Sequence, residues 1–234
     1  MNTPKIAIVT AASRGMGAAC ARELAEKGYS LTLMARSDDI HDIAKDLGAL
    51  AVEGSVVVLG DLERAVRDTV AKWGRIDAVV NNTGHAAKGE LLSLTDDEWQ
   101  AGLDLLLLNV IRMARIVTPV MRAQGSGALV NISTFAALEP DLRFPISATL
   151  RGALTNFTKL FSQQYAGLGI RMNTVLPGWI DTYPVDEEAR KEIPAGRPGT
   201  AEEVARVVAF LLSDEASYVS GESVLVDGGL VRAV

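Results

Sequence analysis

One cysteine, Cys20, stands among 234 residues. That count excludes a disulfide framework and a multi-thiolate metal site. Histidine is almost as scarce. His41 and His85 lie far apart in sequence, which argues against a histidine-rich zinc centre, and no metal is expected. Positive charge is in deficit, with 23 Lys and Arg against 29 Asp and Glu. A nucleic-acid partner needs a basic face, and none is supplied here. Long apolar runs are missing too. The most apolar stretch, LDLLLLNVIRMARIV, carries Asp104, Asn109, Arg112 and Arg115, whereas a membrane span needs about 20 apolar residues. The opening MNTPKIAIVT lacks the basic region, apolar core and cleavage site of a signal peptide. The expectation is a cytoplasmic protein with neither membrane nor nucleic acid as partner. Hydrophobic residues make up 48% of the chain, enough for a substantial core, so disorder is excluded.

Short apolar runs alternate with helical segments. Seven strands are predicted at 6–10, 31–34, 56–59, 78–80, 128–132, 172–176 and 224–226. Helices are predicted at 15–27, 39–47, 62–73, 96–124, 147–166 and 201–213. Several of the strands are wholly apolar, as in a parallel sheet covered on both faces. Thr95 with Glu98, and Thr200 with Glu203, have the spacing of capping boxes. The pattern predicts one α/β domain over 1–234, a doubly wound Rossmann sheet of seven parallel strands with helices on both faces. Such sheets bind ligands beyond the C-terminal ends of their strands, so the residues just after each strand are the ones to inspect.

After the first strand comes Thr10-Ala-Ala-Ser-Arg-Gly-Met-Gly17, opening a helix. Gly15 and Gly17 allow a tight turn and close approach to a diphosphate, whose charge meets the helix N-terminus. Further on stand Asn81-Asn-Thr-Gly84, Asn173-Thr-Val-Leu-Pro-Gly-Trp-Ile-Asp-Thr182, Gly196-Arg-Pro-Gly-Thr-Ala-Glu-Glu-Val204 and Val219-Ser-Gly-Glu-Ser-Val-Leu-Val-Asp-Gly-Gly229. In this order they resemble the short-chain dehydrogenase/reductase family, of the 3-oxoacyl-carrier-protein-reductase kind, from Lys5 to about Leu230. Ala11 departs from the family's usual glycine; a methyl is tolerable there if that residue keeps a negative φ.

The resemblance implies where a nicotinamide dinucleotide binds. Thr10, Ser13, Arg14, Gly15, Met16 and Gly17 match the loop that holds the diphosphate. Asp61 stands for the acid after the third strand that contacts adenine, with Leu62 beside it. Asn82 and Gly84 line the adenosine ribose. Pro177, Gly178, Ile180 and Thr182 match the segment that holds the carboxamide. The choice of cofactor has a physical argument of its own. A site selective for NAD ends its second strand in a carboxylate that binds the ribose 2′-hydroxyl. Here that strand ends Leu33-Met-Ala-Arg-Ser37. Arg36, with Arg14 in the glycine loop, can flank a 2′-phosphate, so NADP(H) is favoured over NAD(H).

At the chemical end the family uses an asparagine, a serine, a tyrosine and a lysine. The register of Arg151-Gly-Ala-Leu-Thr-Asn-Phe-Thr-Lys159 puts Ser147 at the tyrosine position and Arg151 at the lysine position. Thr134 falls at the serine position, with Ser133 its neighbour. Leu106 falls at the asparagine position, and Asn109 is the nearest amide. Thr134, Ser147 and Arg151 are therefore the catalytic candidates, Arg151 also reaching the nicotinamide ribose. Threonine keeps the hydroxyl and arginine keeps the charge. Serine is a far weaker acid than a phenol of ordinary pKa about 10. Ser147 has a second reading, as the cap of the helix it opens. His85, Tyr183, Glu139, Asp141 and Arg143 are further proton-bearing groups near the substrate side. The resemblance makes 183–193 a substrate lid, shorter than the family's usual one, and the stretch from Asp61 to Gly74 a third crossover that is short for the family.

Two functions are compatible with this pattern. One is an NADP(H)-dependent oxidoreductase that moves hydride between nicotinamide and a small carbonyl or alcohol substrate, with non-standard acid chemistry. The other is a catalytically silent NADP(H)-binding protein. The predicted helices 96–124 and 147–166 carry more apolar side chains than one sheet-facing stripe needs. A homotetramer or homodimer is expected.

Overall fold

The computed structural model describes residues 4–233. Seven parallel strands form one sheet: β1 (Ile6–Thr10), β2 (Ser30–Ala35), β3 (Leu50–Glu53), β4 (Ala78–Asn81), β5 (Gly127–Ile132), β6 (Ile170–Pro177) and β7 (Ser223–Val226). Their order is β3-β2-β1-β4-β5-β6-β7, with the reversal of winding between β1 and β4. The crossover helices are α1 (Gly15–Glu26), α2 (Asp39–Asp46), α3 (Leu59–Trp73), α4 (Asp96–Leu103), α5 (Asn109–Gln124), α6 (Pro145–Tyr165) and α8 (Ala201–Leu212); α7 (Glu187–Glu192) lies after β6. One apolar cluster joins Val9, Leu24, Leu33, Val80, Val130 and Val208 on the α1 and α8 side. A second joins Ile8, Met34, Val79, Leu129, Val117 and Met172 on the α3 and α5 side. The central strands are buried on both faces, which is why they read as unbroken apolar runs.

The third strand is a correction. The run Val56-Val-Val-Leu59, expected as β3, forms a turn and the first residue of α3, and the strand is Leu50–Glu53. β3 lies at the sheet edge and pairs only with β2, so only Val52 of its four residues is buried and it ends in an exposed Glu53. Val57, Val58 and Leu59 are 37%, 48% and 43% exposed, so hydrophobicity there does not report a core strand. The third crossover helix, α3, has fifteen residues and begins at Leu59, two residues before Asp61. The expected helix 96–124 is continuous but contains a π-helical turn at Asp104–Leu108. The Asn109 amide donates to the Leu105 carbonyl there. Both capping boxes form, at Thr95 with Glu98 and Thr200 with Glu203.

Polar groups inside the sheet are paired. Asn81 Nδ2 donates to Asn131 Oδ1 at 2.8 Å, Asn131 Nδ2 donates to Thr158 Oγ1 at 3.0 Å, and Thr158 shares a hydroxyl bond with Thr174 at 2.9 Å. This chain stitches β4, β5, α6 and β6 together directly behind their functional ends. On the first crossover, Thr10 Oγ1 donates to the Asn82 carbonyl at 2.7 Å and accepts from Asn82 N at 2.9 Å. A Cβ on Gly17 would lie 2.2 Å from the Ala11 carbonyl oxygen, so only glycine allows α1 to start this close to β1.

Ala11 itself has φ +46°, against the expectation of a negative φ. The left-handed conformation costs an L-residue roughly 1–2 kcal/mol, part of which a glycine gives back in unfolded-chain entropy. Ala11→Gly is expected to stabilise the protein by about 1 kcal/mol, raising Tm by about 2–4 °C for a chain of this size. Calorimetry checks this; a lower Tm contradicts it.

Candidate cofactor and active site

The N-terminus of α1 follows the end of β1 after a four-residue turn, 11–14. Its N-cap is Arg14, no side chain caps it, and no acid lies in its first turn. Four backbone N–H groups at such a terminus lack intrahelical partners, and the helix dipole adds partial positive charge. A terminus of this kind can hold a diphosphate. Asn82 braces it by donating from Nδ2 to the Ala11 carbonyl at 3.2 Å. Thr182, arriving from β6, puts its methyl 3.4 Å from where a Cβ on Gly15 would sit. Ser37, just past β2, donates to Ser13 Oγ at 3.3 Å, tying the second strand end to the same loop. Arg14 and Arg36 flank that bond, both exposed, and neither forms an ion pair among the described residues.

The adenine end differs from expectation. Asp61 does not directly follow β3; it sits in the first turn of α3. Its carboxylate accepts from Ser55 N at 2.9 Å and pairs with Arg64 at 2.9 Å, so it organises the loop from within. Leu62 is 1% exposed in the core beside Val52 and Ile8, closed off from any ligand. The residues that follow the strand are Gly54, Ser55 and Val56.

Four buried side-chain polar atoms have no hydrogen-bond partner among the described residues: Thr83 Oγ1, Ser133 Oγ, Arg151 Nε and Trp179 Nε1. Thr83 follows β4, Ser133 follows β5, Trp179 follows β6, and Arg151 lies on α6 with Nη1 donating to the Ile132 carbonyl at the end of β5. All four converge on the C-terminal edge of the sheet. Buried polar groups are nearly always paired, so a cluster of exceptions in one place calls for a ligand. Arg151 is the most demanding. It is 6% exposed and has no carboxylate partner, and burial pulls its pKa down to about 10. It stays charged at neutral pH, with Nε free for a hydroxyl or anion.

The other candidates are placed as follows. Thr134 caps a short 3-10 turn, its Oγ1 accepting from Ala136 N at 3.4 Å. Ser147 does not cap α6, which starts two residues earlier with Phe144 as N-cap and Pro145 following. Its hydroxyl is half-buried, one helical turn before Arg151. Pro177 closes β6, Gly178 N donates to the Val226 carbonyl at 3.0 Å, and Ile180 is buried against α8. Gly84 is exposed and Met16 packs on the core. Leu106 is 1% exposed and offers no polar atom, and the Asn109 amide is committed to its own helix. Cys20 is buried, and its thiol is pushed up to about 12, so it is inert. Thr83, Ser133 and Trp179 were not singled out as site residues from sequence. Their signal was position alone, immediately past strand ends. Among the described residues, no cluster of three or more His, Cys, Asp or Glu groups can hold a metal, and no helix is long and apolar enough to cross a membrane.

Comparison with known proteins settles the lineage. The family model described as enoyl-(acyl carrier protein) reductase matches residues 10–231. The chain belongs to the short-chain dehydrogenase/reductase family. It is 32% identical to the 3-oxoacyl-[acyl-carrier-protein] reductase FabG of Thermotoga maritima, over 97% of this chain and 98% of that protein. It is 34% identical to the short-chain reductase protein NovJ of Streptomyces niveus, over 96% and 93%. L-Sorbose reductase from Gluconobacter frateurii, solved with NADPH and L-sorbose, superposes with a TM-score of 0.94 at 29% identity, covering 99% of this chain and 98% of that one. YwfH, an NADPH-dependent reductase involved in bacilysin biosynthesis, also gives 0.94, at 26% identity, covering 99% and 100%.

Two outcomes test the electrostatics of this site. Replacing an unpaired buried charge by an apolar side chain of similar volume removes its desolvation cost. Arg151→Met is expected to stabilise the ligand-free protein by about 1–4 kcal/mol, measured by urea unfolding, while weakening NADPH binding. Loss of stability would mean that Arg151 is paired in a way the structure lacks. The pKa of His85 is lowered by burial first, then by the charges of Lys88 and Arg151. In proton NMR its midpoint is expected below 6.5 and should rise in Arg151→Met; an unmoved midpoint would put the imidazole out of the guanidinium's reach.

Proposed function

We propose that this protein is a cytoplasmic NADP(H)-dependent oxidoreductase that transfers hydride between nicotinamide and a small carbonyl or alcohol substrate. The observation that carries the reading is the uncapped, acid-free N-terminus of α1 with two unpaired arginines beside it, Arg14 and Arg36. The helix end suits a diphosphate, and the arginines suit a 2′-phosphate that NAD(H) lacks. NADPH in the sorbose reductase structure and the NADPH dependence of YwfH support the same choice. Bound here, the cofactor supplies the hydride. Ser13 and Gly15 to Gly17 hold its diphosphate, Asn82 and Gly84 border its adenosine ribose, and Gly178, Ile180 and Thr182 meet its carboxamide. Arg151 Nε is the group offered to the nicotinamide ribose, and Thr134 is the hydroxyl that orients the substrate oxygen.

Acid chemistry is where this member departs from its relatives' pattern. The register with the family leaves an aliphatic hydroxyl, Ser147, at the phenol position. A positioned general acid is worth about 10²–10⁴ in rate, so the reaction either recruits another donor or is lost. Ser147 is also the observation that favours the second reading, a cofactor-binding protein without turnover. Oxidation of NADPH against a panel of small ketones separates the two. The proposal includes assembly into a homodimer or homotetramer through α4, α5 and α6. Leu103, Leu105, Leu107 and Leu108 are half-buried along the π turn, and Leu160 is 64% exposed on α6.

NADPH is expected to bind at least tenfold more tightly than NADH, a difference of about 1.4 kcal/mol that one charge-assisted contact covers. Fluorescence titration measures it, and Arg36→Ala should narrow the gap; equal affinities in the wild type would contradict the assignment. Sedimentation velocity at micromolar concentration should give a dimer or tetramer, and a monomer would contradict the assembly.

A further inference from the structure

Reduction of a carbonyl needs an acid, and the structure limits where one can come from. Tyr29 precedes β2, Tyr165 ends α6, and Tyr218 lies between α8 and β7. These three stand at the N-terminal edge of the sheet, opposite the cofactor cradle. Tyr183 alone among the tyrosines lies at the C-terminal edge. It follows Thr182, which rests against Gly15 of the diphosphate loop. Its ring meets His85 edge-to-face, with centroids 4.8 Å apart and planes at 77°.

The two rings come from different strand ends. His85 follows β4 and Tyr183 follows β6, and β5 lies between those strands. Neighbouring strands are about 4.8 Å apart, so β4 and β6 are separated by roughly 10 Å. The ring pair therefore joins the loops that follow the strands on either side of β5, at the sheet edge where Ser133, Thr134 and the Arg151 guanidinium stand. Tyr183 is 54% exposed, and its hydroxyl makes no side-chain hydrogen bond among the described residues. A phenol is thus held by its ring while its hydroxyl is free.

We infer that Tyr183, steadied by His85, donates the proton to the substrate oxygen, in place of the phenol missing at the Ser147 position. The inference rests on the oxidoreductase reading above. The carbonyl carbon receives the hydride, with its two electrons, that NADPH supplies. The carbon–oxygen π pair moves onto oxygen, which takes the proton from Tyr183 Oη. The products are the alcohol, the oxidised cofactor and a tyrosinate, and water returns the proton to Tyr183. An imidazole in edge-to-face contact positions the phenol through its ring, away from the hydroxyl.

The test pairs rate with position. In single-turnover oxidation of bound NADPH by cyclohexanone, 2-butanone and ethyl acetoacetate, Tyr183→Phe is expected to lose about 10²–10⁴ in rate. Its affinity for NADPH should stay within twofold. In protein labelled with ¹³C at the tyrosine ring, the resonance lost in Tyr183→Phe should move on adding NADPH. It should stay put on adding adenosine 2′,5′-bisphosphate, which has no nicotinamide. Wild-type rates in Tyr183→Phe, or a resonance unmoved by NADPH, would overturn the role of Tyr183 and leave the oxidoreductase reading standing. A wild type that binds NADPH and reduces none of the three ketones would overturn both.

Discussion

A guanidinium removed from water without a counter-charge costs several kcal/mol, and in this fold Arg151 bears that cost at the end of β5. One Nη is tied to the Ile132 carbonyl and Nε is left without a partner. In the proposed function, a bound dinucleotide would turn the same charge from a liability into a contact. The neighbouring groups follow that logic. Thr83, Ser133 and Trp179 are each unsatisfied at adjoining strand ends, and the α1 terminus is left open by its own sequence.

Rigidity behind the edge makes this incompleteness tolerable. The Asn81, Asn131, Thr158 and Thr174 chain is fully paired one layer below the unpaired atoms. It fixes α6 against β5 and β6, so Arg151 cannot relax toward water. Thr10 and Asn82 lock β1 to the turn after β4 in the same way, next to the reversal of winding. On the open side, Arg143 fastens the loop before α6 to the lid. It reaches Glu192 at 2.9 Å, chelates Asp141, and lies 5.0 Å from the centre of the Trp179 ring. The lid is small, but it is held by charge and by an aromatic face.

Much of this was legible in the sequence because a doubly wound sheet buries its central strands on both faces. Apolar runs therefore mark β1, β2, β4, β5 and β6 directly, and the polar residues just past them mark the cradle. The edge strand β3 broke the rule. Half exposed, it is less apolar than the loop that follows it, and placing it wrongly carried Asp61 and Leu62 away from their structural roles. The π turn at 104–108 is masked by the run Leu105-Leu-Leu-Leu108, where every phase of the helical period is apolar and a shift of one residue leaves no mark. The positive φ of Ala11 was hidden because the sequence offers alanine where the backbone wants glycine. The pairing of Tyr183 with His85 joins two loops a hundred residues apart, and only the strand order brings them together.

The most direct measurement is a crystal structure of the protein with NADPH. The account predicts the diphosphate on the N-terminus of α1, the 2′-phosphate between Arg14 and Arg36, and the nicotinamide ribose within hydrogen-bond distance of Arg151 Nε. Cofactor lying elsewhere, or an Arg151 whose Nε remains without a partner when NADPH is in place, would contradict it.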